Sequence, residues 1–352
     1  MGENDLIINH NDPILITGSN GFIGSKVVET LLNYGFTNLR CLVRSSSDLT
    51  ALHRIVNAFD KTNIKIIEGN LLSRDDCKKA TESVSVIYHL AAGRGDKSYP
   101  NAYLNSVVTT RNLLDATLQN KSLKRFVNIS SFTVYSNMKI RRGGLLDETC
   151  EMERQPELRG EAYCYAKVRQ DELVMEYGQK YSIPYVIVRP GAVYGPGNKG
   201  ITGRVGIDTF GIFFHLGGSN RIPLVYLDNC ADAIVLAGIK RGIDGEVFNI
   251  VDDDFPTSRQ FLKMYKKNVK DFKSIYIPRR VSYLLCYLWE KYSEWSEGQL
   301  PPVFNQRRWA SDWKGNRYSN EKLKKLLGWK QKVAFDDASK RYFEYQRGVG
   351  GK

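Results

Sequence analysis

With 352 residues, 42% of them apolar, the chain is long enough for one large α/β unit with a real core, with or without a smaller lobe, and it is not a disordered protein. Lysine and arginine number 51 against 38 acidic residues, a formal charge of +13, which favours an anionic partner such as a phosphorylated cofactor, a nucleotide-linked substrate or an acidic membrane surface. The basic residues are scattered rather than gathered into one stripe, so no nucleic-acid partner is expected.

The first element is a short apolar run at 13–17 (PILIT), followed by glycines at 18, 21 and 24 and a helical pattern through Val27, Val28, Leu31 and Leu32. That order reads as strand, glycine turn, helix. Further apolar runs at 39–43, 64–67, 84–89, 125–129 and 184–188 alternate with helix-length segments at 49–59, 74–80, 102–119 and 161–181. The alternation predicts an α/β fold: a Rossmann-type, doubly wound parallel sheet covered on both faces. After Arg189 a glycine- and proline-rich loop (GAVYGPGNKGITGR) leads to an aromatic segment at 210–215, a sheet-like run at 222–227, a helix at 231–240 and a strand at 247–251. From Asp252 the chain reads as a smaller, mixed C-terminal lobe, closing with a helix of about a dozen residues from Asp336. The expected division is a dinucleotide-binding domain at 10–189, with returning segments near 222–251, and a substrate-binding lobe at 190–221 and 252–347. In that lobe Val281, Leu284, Leu285, Leu288 and Tyr292 share one helical face. Packing into the lobe's core is expected of that face, ahead of an interfacial membrane helix.

The six cysteines (Cys41, Cys77, Cys150, Cys164, Cys230, Cys286) form no C-x-x-C pair and read as reduced thiols of a cytoplasmic protein. The first residues carry no secretory pattern, no stretch approaches a membrane span, and the four histidines show no ligand spacing, so no metal is expected.

The turn TGSNGFIG has the spacing G-x-x-G-x-x-G. A pyrophosphate needs a tight turn, a bare backbone and a helix N-terminus with free N–H groups. Gly18, Asn20, Gly21, Phe22, Ile23 and Gly24 are the candidates to provide them. The second strand ends in CLVRSSS. A carboxylate there would hold the adenosine ribose, whereas Arg44, flanked by Ser45 and Ser46, can donate to a 2′-phosphate. NADP is therefore favoured over NAD, with Asp48 keeping the alternative alive. Asn70 and Leu71 follow the third strand, where Asn70 can bond an adenine amino group. Leu90, Ala91 and Ala92 end the fourth with the small residues that a backbone passing beneath a cofactor needs. His89 reads as a packed strand residue, and Asn105 as the opening residue of a helix, a cap or a polar contact near the site.

The decisive constellation is NISSFTVY followed by EAYCYAK. Tyr163 and Lys167 stand at i and i+4, so both project from one side of a helix, and a lysine cation beside a phenol stabilises its phenolate. Ser131, at the end of a strand facing that helix, can hydrogen-bond a substrate oxygen where charge develops.

With TGSNGFIG, GNL, HLAA, SSFTVY, YCYAK, RPGAVYGPGN, VYLDNCADAIVLA and NRYSNEKLKKLLGWK, the chain resembles the extended short-chain dehydrogenase/reductases, the superfamily of NAD-dependent epimerases and dehydratases. The resemblance implies that Ser131, Tyr163 and Lys167 are catalytic, that Pro190 and Val193 neighbour the nicotinamide, and that the protein forms a homodimer through its active-site helices. The chain departs from the family at Asn70, where aspartate is usual, and at Thr133, where dehydratases often carry an acidic residue. With Phe132 and Thr133 beside Ser131, dehydration lacks its added acid and base. The expected reaction is therefore epimerisation of a nucleotide-linked sugar by transient hydride transfer, with Arg204 and Arg221 as candidate diphosphate ligands. The alternatives are an NADP-dependent alcohol/ketone oxidoreductase of the 3β-hydroxysteroid or dihydroflavonol reductase type, and a catalytically silent dinucleotide sensor.

Overall fold

In the computed structural model, which describes residues 5–59, 63–93, 98–209, 211–297 and 299–350, strand β1 (Ile14–Thr17) is buried along its whole length. Its residues alternate between two cores, as a period of two requires of a strand covered on both faces. Ile14 and Ile16 join Val27, Val28 and Leu31 on one side of the sheet, while Leu15 joins Leu113, Leu114 and Val174 on the other. Helix α1 (Phe22–Asn33) supplies the first set; strands β2 (Asn38–Val43), β3 (Asn63–Glu68) and β4 (Val86–His89) follow, separated by α2 (Thr50–Ala58) and α3 (Arg74–Thr81).

The next helix begins at α4 (Tyr99–Ala102), passes through a π-helical stretch at Tyr103–Val108 and continues as α5 (Thr109–Thr117). Asn105 therefore does not open it. Ser98 does, accepting from Asn101 N at 3.4 Å, with Pro100 in the first turn, where its missing N–H costs nothing. Strand β5 (Arg125–Ile129), the short β6 (Leu145–Leu146), α6 (Ala162–Tyr181), β7 (Tyr185–Pro190) and β8 (Ala192–Tyr194) come next. They are followed by β9 (Gly206–Thr209), β10 (Ile212–His215), β11 (Leu224–Tyr226), α7 (Leu227–Ile239) and β12 (Val247–Ile250). Phe210, which the sequence places in the aromatic segment, lies outside the described residues.

The central sheet has seven strands in the order β12-β7-β5-β4-β1-β2-β3, every neighbouring pair parallel. The chain order reverses between β1 and β4, so the carboxyl ends of these two strands flank the crevice where such sheets bind ligands. The remaining elements are α8 (Ser258–Asn268), β13 (Ser274–Tyr276), α9 (Arg279–Trp295), α10 (Gln306–Asp312), β14 (Arg317–Tyr318), α11 (Glu321–Leu327) and α12 (Phe335–Gly350). Two small sheets, β13-β10-β9 and β14-β6, belong to this region. A core of its own forms there from Phe213, Ile222, Phe261, Leu262, Tyr342 and Phe343.

Helix α9 departs from expectation. Ser282, Cys286 and Ser293 are its buried residues, whereas Val281, Leu284, Leu285, Leu288 and Tyr292 are 45–53% exposed. The apolar stripe is real, but the helix packs through small polar residues instead; Ser282 Oγ accepts a 2.9 Å bond from Trp309 Nε1. All six cysteines are free. Among the described residues no helix is long and apolar enough to cross a membrane, and no three metal-ligating side chains cluster.

Candidate active site

The turn after β1 is shaped by two glycines. Gly18 takes φ +69°, and a Cβ on it would lie 2.9 Å from Ala91 N, so the turn passes directly over the end of β4. A Cβ on Gly24 would lie 2.0 Å from Gly18 O, so only glycine lets α1 pack this close to the turn. Gly21 is the residue before α1 and has no side chain to cap it. The first N–H groups of the helix, at Phe22, Ile23 and Gly24, therefore open into the crevice, as an anion requires. This cradle fits a dinucleotide pyrophosphate.

The crevice is a cavity of about 270 Å³. The glycine turn, Leu90, Ala92, Pro190 and Val193 line it on one side; Ser131, Tyr163 and Lys167 complete the wall. The structure thus brings together, from five separate segments, most of the residues singled out from sequence. Ser131 follows β5 and also receives Thr133 N at 3.3 Å, which starts a short 3₁₀ turn. Its neighbour Ser130 is committed elsewhere, donating to Asp171 Oδ2 at 2.8 Å. Of the two serines, Ser131 is the one whose hydroxyl meets Tyr163. Burial pushes the Tyr163 phenol up, and the bond from Ser131 opposes that rise.

Lys167 is 3% exposed, and burial brings its ammonium down to about 8, with Asp171 pulling the other way. Its Nζ donates to Ile129 O at 2.6 Å and to Gln170 Oε1 at 2.9 Å. Gln170 Nε2 in turn donates to Thr110 Oγ1 at 2.8 Å, and Thr110 donates to Ser106 O at 2.6 Å. His89 Nε2 lies 2.8 Å from the same Thr110 oxygen, whose proton is already used, so Nε2 carries the imidazole proton. His89 Nδ1 meets Thr17 at 2.8 Å, and burial holds the ring near pKa 3. It is a neutral packing residue.

Asp171 is the anchor that sequence reasoning missed. Fully buried, it accepts from Asn128, Ser130 and Arg189 at 2.9, 2.8 and 3.1 Å, tying α6 to β5 and β7. A signal was present: Tyr163, Lys167 and Asp171 repeat every four residues, and a buried helix face with that much polarity must find partners.

The other candidates lie around the rim. Arg44 is exposed just beyond β2, and among the described residues only its backbone is bonded, to Ser47. Asp48 is used locally: its Oδ1 accepts from Thr50 N at 2.9 Å and Thr50 Oγ1 at 2.7 Å at the start of α2. Asn70 is exposed, and its Oδ1 accepts from Leu72 N at 3.0 Å, while Leu71 is buried. Asn20 reaches Asp48 O at 3.4 Å, and Ala91 N bonds Thr17 at 3.2 Å. Asn105 sits in the π-helical stretch beside Gly93 and donates to Asn101 O at 2.9 Å.

Arg204 and Arg221 are not brought into the cavity wall. Arg204 donates to Ser311 O at 2.8 Å and bonds the Tyr318 hydroxyl. Arg221 donates to Phe255 O at 3.2 Å and lies over the Phe255 ring. The Tyr318 ring stacks on Phe132 at 5.7 Å and meets Phe255 at 6.2 Å. Both arginines thus gather around one aromatic group that adjoins Ser131 through Phe132.

Comparison with known proteins agrees with this geometry. The chain is 27% identical over 348 residues, 94% of its length, to the trifunctional UDP-glucose 4,6-dehydratase/UDP-4-keto-6-deoxy-D-glucose 3,5-epimerase/UDP-4-keto-L-rhamnose-reductase of Arabidopsis thaliana. It spans only 46% of that protein, just under half its length. It is also 23% identical to the decarboxylating sterol-4-alpha-carboxylate 3-dehydrogenase of Mus musculus, covering 93% of this chain and 88% of that one. Among solved structures, UDP-glucuronic acid 4-epimerase from Bacillus cereus, in complex with UDP-glucuronic acid and NAD, superposes with a TM-score of 0.71 at 22% identity over 96% of this chain and 99% of that one. The profile of one enzyme family matches residues 14–250, from the first residue of β1 to the last of β12. The stretch that builds the parallel sheet, the glycine turn and the Ser131–Tyr163–Lys167 wall is therefore the stretch that defines this enzyme as a member of the NAD dependent epimerase/dehydratase family.

Proposed function

We propose that the protein epimerises a nucleotide-linked sugar by removing and returning a hydride at one carbinol carbon. One observation carries this reading: Ser131, Tyr163 and Lys167 share a single cavity with the glycine turn, and no carboxylate lines it among the described residues. A nicotinamide dinucleotide bound on Gly18, Gly21, Phe22, Ile23 and Gly24 supplies the hydride acceptor. The chain's own residues handle the proton. Ser131 holds the substrate oxygen, Tyr163 Oη takes the hydroxyl proton on oxidation and returns it on reduction, and Lys167 supports the phenolate. Lys167 is bonded to Ile129 O and Gln170, so its ammonium is fixed beside the cavity rather than free in water.

Elimination of water needs a further acid and base next to Ser131. Phe132 is buried and Thr133 is neutral, with its carbonyl accepting from Arg159 at 2.6 Å, which favours epimerisation over dehydration. The nucleotide-sugar class rests on the names of the relatives and on the cationic Arg204 beside Tyr318. NADP is the favoured cofactor because Arg44 stands exposed past β2 without a side-chain partner among the described residues, while Asp48 is occupied by Thr50. Arg44→Ala then weakens NADPH binding and leaves NADH binding unchanged, read by fluorescence titration. A homodimer through α5 and α6 fits the exposed Leu104, Leu118 and Tyr181 on that side.

A second reading, net reduction of a ketone, is favoured by the likeness to the mouse sterol dehydrogenase over nearly the whole chain. The two separate in one assay. An epimerase interconverts two sugar nucleotides with no change in reduced nicotinamide; a reductase consumes it. Tyr163→Phe abolishes either turnover, by roughly 10²–10⁴-fold, without loss of dinucleotide binding. Full activity of that variant would refute the proton role.

A further inference from the structure

Helix α9 carries an apolar face that the fold leaves uncovered. At 100° per residue, Val281, Leu284, Leu285, Leu288, Tyr292 and Trp295 fall within an arc of about 100°. All six are exposed, Trp295 to 77%. Tyr287 flanks the stripe and is exposed too, as are Ile275 and Tyr276 on the preceding strand, whereas Tyr283 turns toward α10, its ring 4.9 Å from that of Trp309. On its other side the helix packs chiefly against α10. The stripe therefore stands out as a ridge of leucine and aromatic residues rather than as the floor of a groove.

The approach to this ridge is basic. Lys263, Lys267, Lys270, Lys273, Arg279 and Arg280 are all exposed on α8, the β13 segment and the first turn of α9. Asp271 is the sole acid between residues 259 and 280, and it is paired with Lys266 at 3.2 Å. Toward the end of the helix Glu294 is tied to Lys291 at 2.6 Å, and Glu290 accepts from Gln306 N at 3.1 Å.

We propose that this face docks the protein on an anionic lipid surface, with α9 lying in the plane of the headgroups. The chemistry is that of an interfacial helix. Leucines enter the acyl boundary, tyrosine and tryptophan rings sit at headgroup depth, and the lysines and arginines meet lipid phosphates. A second copy of the chain fits less well, since it would bring the same basic fringe and a formal +13 against itself.

The test is flotation of the full chain with vesicles of phosphatidylcholine alone and with about one-third phosphatidylserine added. The triple variant Leu284→Glu, Leu285→Glu, Leu288→Glu serves as comparison. Circular dichroism and dinucleotide binding verify that it is folded, and all three side chains are already in solvent. The wild type is expected to float with the anionic vesicles and not the neutral ones, to detach as salt rises, and to lose about tenfold or more in the variant. In brominated lipid, Trp295 fluorescence is expected to be quenched, and Trp295→Phe to lose that quenching. Wild-type protein left in the dense fraction with phosphatidylserine vesicles would overturn the proposal, as would a triple variant that floats equally well. A dimer that the triple variant dissociates, with no vesicle binding by the wild type, would assign the face to a second copy instead.

Discussion

The Tyr163 phenol sits half-buried in the cavity wall, and that sets the direction of its chemistry. Burial keeps the proton on, and the hydrogen bond from Ser131 works against burial. Ser131→Ala removes that bond, so the limb of a kcat/KM profile that reports the phenol is expected to move to higher pH. Turnover falls by about 10²-fold. An unmoved limb would mean that Ser131 does not govern Tyr163. Lys167 gives a separate prediction. Its folded value, about 8, lies below its ordinary 10.5, so between those two values the unfolded chain holds more proton than the folded one. Stability then rises with pH through that window, and the penalty for the buried ammonium is fully present below about 8. The penalty is up to about 3 kcal/mol, and Lys167→Met flattens the rise, measured by urea unfolding on either side of the window. Ser131, Tyr163 and Lys167 were legible because chain order and an i, i+4 spacing constrain them locally. The hydroxyl of Thr110, the amide of Gln170 and the protonated Nε2 of His89 were not, since they meet only after β4, α5 and α6 have packed.

At the scale of elements, α6 holds the end that carries Tyr163 and Lys167 in place through one buried carboxylate. Asp171→Ala leaves Arg189, 3% exposed, with an uncompensated charge, and is expected to cost about 3–5 kcal/mol. A thermal scan reads this as a lowered Tm; a Tm within a degree or so of wild type would show that Arg189 has another partner. The central strands of the parallel sheet were readable because continuous burial writes short apolar runs into the sequence: β5 falls at Arg125–Ile129, the segment expected. Strands β9, β10 and β13 are short and partly exposed, with no period to read, and they were missed. On α9 the periodicity was correct, but a stripe states only that residues share a face, not that anything covers it.

For the whole molecule, the order of strands decides where chemistry occurs. The reversal between β1 and β4 places the glycine turn, the end of β5 and the start of α6 around one crevice. A ligand bridging these segments couples the parts of the fold, so a dinucleotide at about one hundred times its Kd is expected to stabilise the chain by about 2.7 kcal/mol. The corresponding rise in Tm should grow with ligand concentration. The sheet was foreseeable because alternation of strand and helix admits few arrangements. The position of Tyr318, reached from the far end of the chain to stack on Phe132, was not, because nothing local to β14 announces it.

The most direct measurement is the crystal structure of the protein grown with its dinucleotide. Density for the pyrophosphate on the amides of Phe22 and Ile23, with the nicotinamide beside the Tyr163 hydroxyl and Lys167 facing the same ring system, is the expected result. A dinucleotide bound elsewhere, or a ring held away from Tyr163 with Ser131 turned from the cavity, would contradict the mechanism.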